Sequence, residues 1–483
     1  MSAEELEAAI ARLQAENAGL RALLVQLQSK VADLEAQLGK HSGNSSKPPS
    51  SDTNTQRAAN NLSRAQRRAE ARKQGKQRGA EGHHLRRVER PDRTVVHRPE
   101  RCSGCGGGLD RGTVVGGESR QVFDLPAVRA EVTVHVAQRV RCGCGKITAA
   151  SFPPEATAPA CWGPGVRALG TYLTARQHLP VARAAELLSD VLGAPVSTGF
   201  VAGLQAEAAG RLGNFFARLR MALAGSVVLH TDETSARVSG ATSWFHVVCT
   251  SLFTLVVCHP SRGRTAIEDI AVLPAYKGIL MHDGLSTYDY LGGATHAQCC
   301  AHLVRALGAV GEVASQNPWT TAMEAVLFDA KDAAEKAAAA GKNKVPAKAA
   351  ANLRRRYDDA IQMAFGGLPP GPPPRRRHTG GWTGYQRDAW NLAARLRDRK
   401  AEVLRMVADT RAPWSNNQAE RDLRMVKIQQ KVSGTFHSTG GAEAFAACRS
   451  YIQTAAKHGK NLLDALVELF TTGPWLPPAG ART

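Results

Sequence analysis

Two short apolar runs, each closing on an aspartate and separated by a turn-rich stretch, leave the middle of this chain few ways to fold. Val227-Val228-Leu229 leads through His230-Thr231 to Asp232, and Ile279-Leu280-Met281 leads through His282 to Asp283. Both read as buried strands that deliver a carboxylate to an open end. Residues 244–248 and 255–258 read as two further strands, with Ser239-Gly240 and Ser261-Arg262-Gly263 as turn signals, so the first three strands form a meander. Residues 264–271 read as a short crossover helix. A strand that follows a crossover can lie parallel to the first, which places Asp283 beside Asp232. Two carboxylates at one sheet end suit a divalent metal.

A third acid, Glu420, lies in Pro413-Trp414-Ser415-Asn416-Asn417-Gln418-Ala419-Glu420-Arg421-Asp422-Leu423-Arg424. Pro413 bars helix upstream, Ser415 can cap, and Gln418 completes a capping-box pattern, so Glu420 falls in the first or second turn. Arg424, Lys427 and Lys431 follow on the same helix face as candidate phosphate contacts. Mg²⁺, or Mn²⁺ in its place, prefers carboxylate oxygens and keeps positions open for water and phosphate. Paired ions can stabilise both oxygens of a phosphodiester displacement. Residue by residue the plainer alternative stands: an aspartate after a strand is commonly a turn former, and Glu-Arg on a helix a solvated pair. The joint order of the three acids points to nuclease or strand-transfer chemistry.

The chain opens with a heptad. Leu6, Leu13, Leu20, Leu27 and Leu34 occupy one core position, and Ile10, Asn17, Leu24, Val31 and Leu38 the other. Leucine throughout one position with a lone Asn17 in the other favours a two-stranded parallel coiled coil; a single amphipathic helix packed on the body is the alternative. Gly39 stops the helix, and Ser42 to Asp52 is a polar linker. Arg64, Arg67, Arg68, Arg72, Lys73, Lys76, Arg78, Arg86 and Arg87 then form a basic arm, which either tracks phosphates or serves as a solubilising linker.

Cys102-Ser103-Gly104-Cys105 is matched by Cys142-Gly143-Cys144, with strand-like stretches at 120–122 and 132–140 between the pairs. Two knuckles joined by a hairpin could present Cys102, Cys105, Cys142 and Cys144 to one structural Zn²⁺; free thiols or a redox pair are the alternatives. Residues 166–178, 181–192 and 197–212 show helical spacing, broken at Leu179-Pro180 and Gly193-Ala194-Pro195. The second and third resemble a helix-turn-helix, but the third is poor in basic residues and reads equally as a hairpin packed on the core. Residues 320–340 and 347–365 read as helices within the long segment separating Asp283 from Glu420. A Pro-Gly loop at 366–374 and the run Arg375-Arg376-Arg377-His378 follow, and 442–458 and 462–470 read as closing helices.

At 483 residues and a formal net charge of +20, the chain is long enough for several domains and basic enough for a polyanionic partner. No run of about eighteen apolar residues occurs, so no membrane partner is expected. The acidic start Met1-Ser2-Ala3-Glu4-Glu5 lacks a signal-peptide pattern, and the spacing of the ten cysteines favours a reducing cytoplasm.

Five elements carry a family resemblance. They are Asn44 to Asp52 (Asn-Ser-Ser-Lys-Pro-Pro-Ser-Ser-Asp), the cysteine pairs, Met281-His282-Asp283-Gly284, Cys300-Ala301-His302 and Asn416-Asn417-Gln418-Ala419-Glu420-Arg421. With these the chain resembles, over nearly its whole length, the transposases of bacterial insertion sequences, in particular the family numbered sixty-six. The resemblance implies an RNase H-like core with Asp232, Asp283 and Glu420 as an Asp-Asp-Glu triad, and a zinc segment with a Cys-x-Cys close. The family usually has aspartate where Ser415 stands and Arg-Arg where this chain has Val304-Arg305.

The expected architecture is therefore a multidomain α/β chain. It comprises a coiled-coil dimerisation helix (1–40), a polar and basic linker (41–95), a zinc-binding domain (96–150) and a helical, DNA-binding-like region (160–223). An RNase H-like catalytic core (224–298 and 411–440), interrupted by a helical insertion (299–410), and C-terminal helices (441–483) complete it. The expected function is metal-dependent cleavage and strand transfer of an insertion sequence. Its partners would be element ends and target DNA, a second copy of the chain, and accessory proteins of the element, at the nucleoid in a bacterial cytoplasm. A zinc-containing DNA-binding regulator with an inactive nuclease-like domain, or a nuclease without strand transfer, are the alternatives.

Overall fold

The computed structural model describes residues 85–126, 128–313, 318–374 and 382–478, with scattered positions between 12 and 31. The linker from Ser42 to Asp52, the basic-arm residues from Arg64 to Arg78, the run Arg375 to His378, and the heptad positions Leu6, Ile10, Leu34 and Leu38 lie outside the described residues. Heptad positions Leu13, Asn17, Leu20, Leu24, Leu27 and Val31 are described; all are helical and exposed.

In the cysteine segment the expected hairpin is replaced by something smaller. β1 (Arg139–Arg141) and β2 (Ile147–Ala149) pair antiparallel around the second cysteine pair. Val132, Val134 and Val136 alternate as a strand would, but they are exposed and no strand is assigned there or at 120–122. Alternation marks a strand only when a partner supplies the ladder.

The helical region follows the sequence closely. α1 (Pro164–Thr171) runs into a π turn (Tyr172–Arg176), followed by α2 (Val181–Leu192), α3 (Thr198–Gly210) and α4 (Gly213–Ala224). Ser197 caps α3 by accepting from the Phe200 N–H at 3.2 Å. Gly170 lets α1 lie directly on Leu204 of α3, where a Cβ would collide with the leucine methyl.

β3 (Val228–Val238), β4 (Ala241–Cys249) and β5 (Thr254–His259) form the meander, α5 (Arg264–Ile270) crosses over, and β6 (Ile279–His282) lies parallel to β3. A further strand, β7 (Thr295–Gln298), pairs parallel to β6, giving the sheet order β5-β4-β3-β6-β7. Two expectations change here. β3 continues from Asp232 to Val238 and turns through Ser239 and Gly240, both at positive φ (49° and 78°), so Asp232 lies within a strand and not at its end. β7 went unseen because Thr295-His296-Ala297-Gln298 lacks the apolar run that marks a buried strand.

Alternation divides the sheet. Leu229, Val248, Leu255 and Leu280 pack with Phe215, Leu219 and Leu223 of α4 and Ile267 and Ile270 of α5. On the other face Ala236, Val238, Phe245 and Val247 meet α12 (Asn417–Ser433) and α13 (Thr439–Lys457), the latter followed by α14 (Leu462–Thr471). The edge strand β5 is closed by α13, where the Ser450 and Thr454 hydroxyls accept from the Val256 and Thr254 N–H groups at 2.8 and 3.1 Å.

Between β7 and α12 the chain builds α6 (Cys300–Val313), α7 (Pro318–Ala339), α8 (Ala347–Gly366), α9 (Gly384–Asp398) and the short α10 (Lys400–Val403) and α11 (Arg405–Ala408). Their core, including Leu303, Leu307, Met323, Leu327, Tyr357 and Leu396, is continuous with Ile279 and Met281 of the sheet. Among the described residues no helix is long and apolar enough to cross a membrane.

Candidate active site

Strand periodicity sets the direction of the first acid. Asp232 is an even step from Ala236 and Val238, so it faces α12, whose Ala419, Leu423 and Val426 pack on those residues. The parallel register pairs Val228 with Ile279 and His230 with Met281; extended by two residues it brings Asp283 opposite Asp232. Asp283 leaves β6 into a tight turn, its Oδ1 accepting from the Leu285 N–H at 3.0 Å. Gly284 makes that turn possible at φ 92°, with its Cα against the Arg395 guanidinium and the Gln298 amide, where a side chain would not fit. Arg395, from α9, donates to the Asp283 carbonyl and to Gln298 Oε1. The helical insertion therefore grips the loop that carries the second acid.

Glu420 stands in the first turn of α12. The cap differs from the sequence reading: Asn416, not Ser415, is the N-cap residue, and no side-chain cap bond forms. Fully buried, Asn416 turns into the sheet, donating from Nδ2 to the Thr231 carbonyl at 2.9 Å and meeting His230 Nδ1 through Oδ1 at 3.0 Å. Its N–H donates to Cys299 Sγ at 3.1 Å. One residue thus ties the helix of Glu420 to the strand of Asp232. Glu420 Oε1 lies 3.2 Å from Arg305 Nη2 and 3.6 Å from His302 Nδ1.

Asp232 feels the charges of the other acids, although the carboxylate oxygens of Asp232, Asp283 and Glu420 do not all lie within 4.8 Å of one another. Burial pushes the Asp232 carboxyl up to about 8, with the charges of Glu233, Asp283 and Glu420 adding to the effect. The Glu233 N–H, at 2.9 Å from Oδ1, opposes it. Glu233, next in sequence, points to the opposite face. Burial raises its carboxyl too, but Arg262 (2.7 Å from Nη2) and the Tyr288 hydroxyl (2.8 Å) hold it back. Carboxylate oxygens such as these are the ligand type that Mg²⁺ takes.

The basic face of α12 divides. Arg424 and Lys431 are exposed, whereas half-buried Lys427 donates to the Ser235 carbonyl of β3 at 2.6 Å. Burial lowers its ammonium, and it acts as a strut between helix and strand in place of the expected free phosphate contact. In α3, Val201, Leu204 and Ala208 are buried, and Glu207 pairs with Arg167 at 2.5 Å.

Both cysteine knuckles form. The Cys102 and Cys142 N–H groups donate to the carbonyls of Gly107 and Lys146, each at 2.8 Å. Hydrogen bonds from the Cys105 and Cys144 backbone, the largest influences, hold the Cys102 and Cys142 thiols below their ordinary value, which favours the thiolate a metal needs. The two pairs are not drawn into one cluster: among the described residues the group of metal-ligating atoms within 4.8 Å of one another is Cys299, His302 and Glu420.

His302 and Arg305 lie in or beside the Cys-Ala-His element and Asn416 in the Asn-Asn run, so these positions were visible in the sequence without a role. Arg395 gave no local signal, because its part depends on the folded insertion.

A model of the transposase IS66 family matches residues 160–444, one of the zinc-finger binding domain of transposase IS66 matches 99–145, and a family of unknown function, DUF6444, matches 1–86. No curated protein matches the chain.

Proposed function

The chain belongs to the IS66 transposase family, and from that premise we propose that it cuts and joins DNA at a divalent-cation site formed by Asp232, Asp283 and Glu420. The observation that carries this reading is the parallel register that sets Asp283 opposite Asp232, with the charges of Asp283 and Glu420 both felt at Asp232. The sheet order, with three antiparallel strands followed by two parallel ones and a helix across β3, supports an RNase H-like core. Bound there, Mg²⁺ or Mn²⁺ would supply activation of the attacking oxygen and stabilisation of the leaving one.

The chain's own residues orient and hold. Arg395 fixes the Asp283 turn, Asn416 fixes the first turn of α12 against β3, and Arg305 balances Glu420 until a cation takes its place. Arg424 and Lys431 would meet phosphates, with Lys427 keeping their helix seated. Cys102, Cys105, Cys142 and Cys144 would close on one structural Zn²⁺, and the heptad of residues 1–40 would pair two copies, so that two element ends are held together. The chain would divide into the coiled-coil helix (1–40), linker (41–95), zinc-binding domain (96–150), helical region (160–223), core (224–298 and 411–440) with its insertion (299–410) and C-terminal helices (441–483), and would work on DNA in a bacterial cytoplasm.

The test is an assay of end cleavage and strand transfer on the DNA flanking the gene, with Mg²⁺. Asp232→Asn, Asp283→Asn and Glu420→Gln should each abolish both steps while leaving end binding within a few-fold. Binding without Mg²⁺-dependent cleavage by the unaltered protein would mark a regulator, and cleavage without joining a plain nuclease. Near-normal activity of Glu420→Gln would remove Glu420 from the site.

A further inference from the structure

Beside the carboxylates lies a set of ligands that magnesium does not need. Cys299 Sγ, His302 Nδ1 and a Glu420 oxygen all fall within 4.8 Å of one another, and the His302–Glu420 separation is 3.6 Å. Ligand atoms on a tetrahedral zinc stand about 3.5 Å apart, given bonds of about 2.0–2.3 Å, so little movement would close them on a cation. The His302 Nδ1 atom is buried and has no hydrogen-bond partner. A buried ring nitrogen left so is costly unless something arrives to use it.

Burial, the largest influence on Cys299, holds its thiol above the ordinary value, and the backbone N–H groups of Asn416 and His302 partly oppose it. Cys299 immediately precedes α6, and Glu420 is in the first turn of α12, so both sit at helix N-termini. The Asn416 N–H already donates to the sulfur. Cys299 is fully buried, while the Glu420 and His302 side chains keep 30% and 23% exposure, leaving an entry on one side.

We propose that Cys299, His302 and Glu420 form a second metal site, for a borderline or soft divalent cation such as Zn²⁺, distinct from the thiolate knuckles and competing with the all-oxygen site for Glu420. Thiolate and imidazole select such ions over Mg²⁺. Binding releases the Cys299 thiol proton and displaces Arg305 from Glu420. A Zn²⁺ held there withdraws the third carboxylate from Asp232 and Asp283 and so switches the site off. The cation site stands on these three side chains alone, whereas the switching effect rests on the function proposed above.

Cobalt tests the two parts separately. In the full-length chain carrying Cys102→Ser and Cys142→Ser, which leaves each knuckle short of a thiolate, Co²⁺ titration should show about one ion per chain with a thiolate-to-cobalt charge-transfer band. Adding Cys299→Ser should abolish the band, and adding His302→Ala should weaken binding at least tenfold; circular dichroism checks that each variant folds, and His302→Gln substitutes if alanine does not. A band unchanged by Cys299→Ser, or no band at all, overturns the site. In the Mg²⁺-dependent assay, inhibition by added Zn²⁺ should need at least tenfold more zinc in the His302→Ala variant. Equal inhibition overturns the switch, while failure of the unaltered protein to cut DNA strikes the function and leaves the cobalt result standing.

Discussion

Glu420 and Asp422 sit two residues apart on α12 and face opposite ways. Asp422 is buried, and its carboxylate accepts from the Thr254 hydroxyl at 2.8 Å, Lys457 Nζ at 2.7 Å and Gln418 Nε2 at 3.2 Å. Its charge is answered by the protein. Glu420 meets Arg305 and His302, and its charge is felt at Asp232. The difference separates two uses of an acid on one helix: Asp422, satisfied by donors, fastens the fold, while Glu420 keeps 30% of its side chain exposed and only a partial counter-charge.

Substitutions should separate the two neighbourhoods, and the largest effect is expected on the Glu420 side, at Asp232. Asp232→Asn should lower strand cleavage at least a thousandfold, a loss of several kcal/mol of transition-state stabilisation, while the metal-free protein unfolds at an unchanged or higher denaturant concentration. Asp422→Ala should do the reverse. It leaves part-buried Lys457 without its counter-charge, held only by the Thr250 and Phe253 carbonyls, at a cost of about 3 kcal/mol in denaturant unfolding, and any residual folded protein should keep its Mg²⁺ response. An Asp422→Ala protein as stable as the parent would break the comparison.

Asn416→Ala joins both neighbourhoods through β3. Loss of its bonds to Thr231 and His230 should cost about 1–3 kcal/mol and, by loosening the first turn of α12, reduce cleavage about 10- to 100-fold by analogy with groups that orient metal ligands. Denaturation and single-turnover cleavage read the two losses independently.

The most gradual effect concerns pH. A carboxyl at about 8 in the folded state, above its ordinary value, contributes stability that is complete below that ordinary value and is lost as pH rises through about 8. Metal-free protein should therefore lose up to about 1.4 kcal/mol per pH unit between pH 5 and 7 from this one group. Mg²⁺ should stabilise more at pH 8.5 than at pH 6, and Asp232→Asn should flatten both trends. Melting curves across that range, with and without Mg²⁺, provide the check.

Much of the site could be read before folding was considered. The apolar runs before Asp232 and Asp283 and the crossover between them required a parallel pair, and the pair required adjacent acids. β7 was hidden because its residues are polar, and the extension of β3 because Glu233, Thr234 and Ser235 look like a loop until β4 pairs with them. Helical spacing placed Lys427 correctly on the face of Glu420, but it could not show that Ser235 would claim the ammonium. Local sequence pointed to Ser415 as the cap and could not show the part of Asn416, whose side-chain partners lie 185 and 186 residues away. In the cysteine segment the knuckles followed from spacing, and the hairpin failed because alternation cannot create a partner strand.

The insertion gripping the Asp283 turn also sets a schedule for synthesis. A ribosome releases Asp232 and Asp283 early and Glu420 only 137 residues after Asp283, an interval of about 7–27 s at about 5–20 residues per second. During that interval the nascent chain holds two acids without the third, and Arg395 reaches the Asp283 loop before Asn416 can seat α12. A growing chain thus has the clamp residue for its Asp283 loop, Arg395, in hand before the helix that carries Glu420 is made.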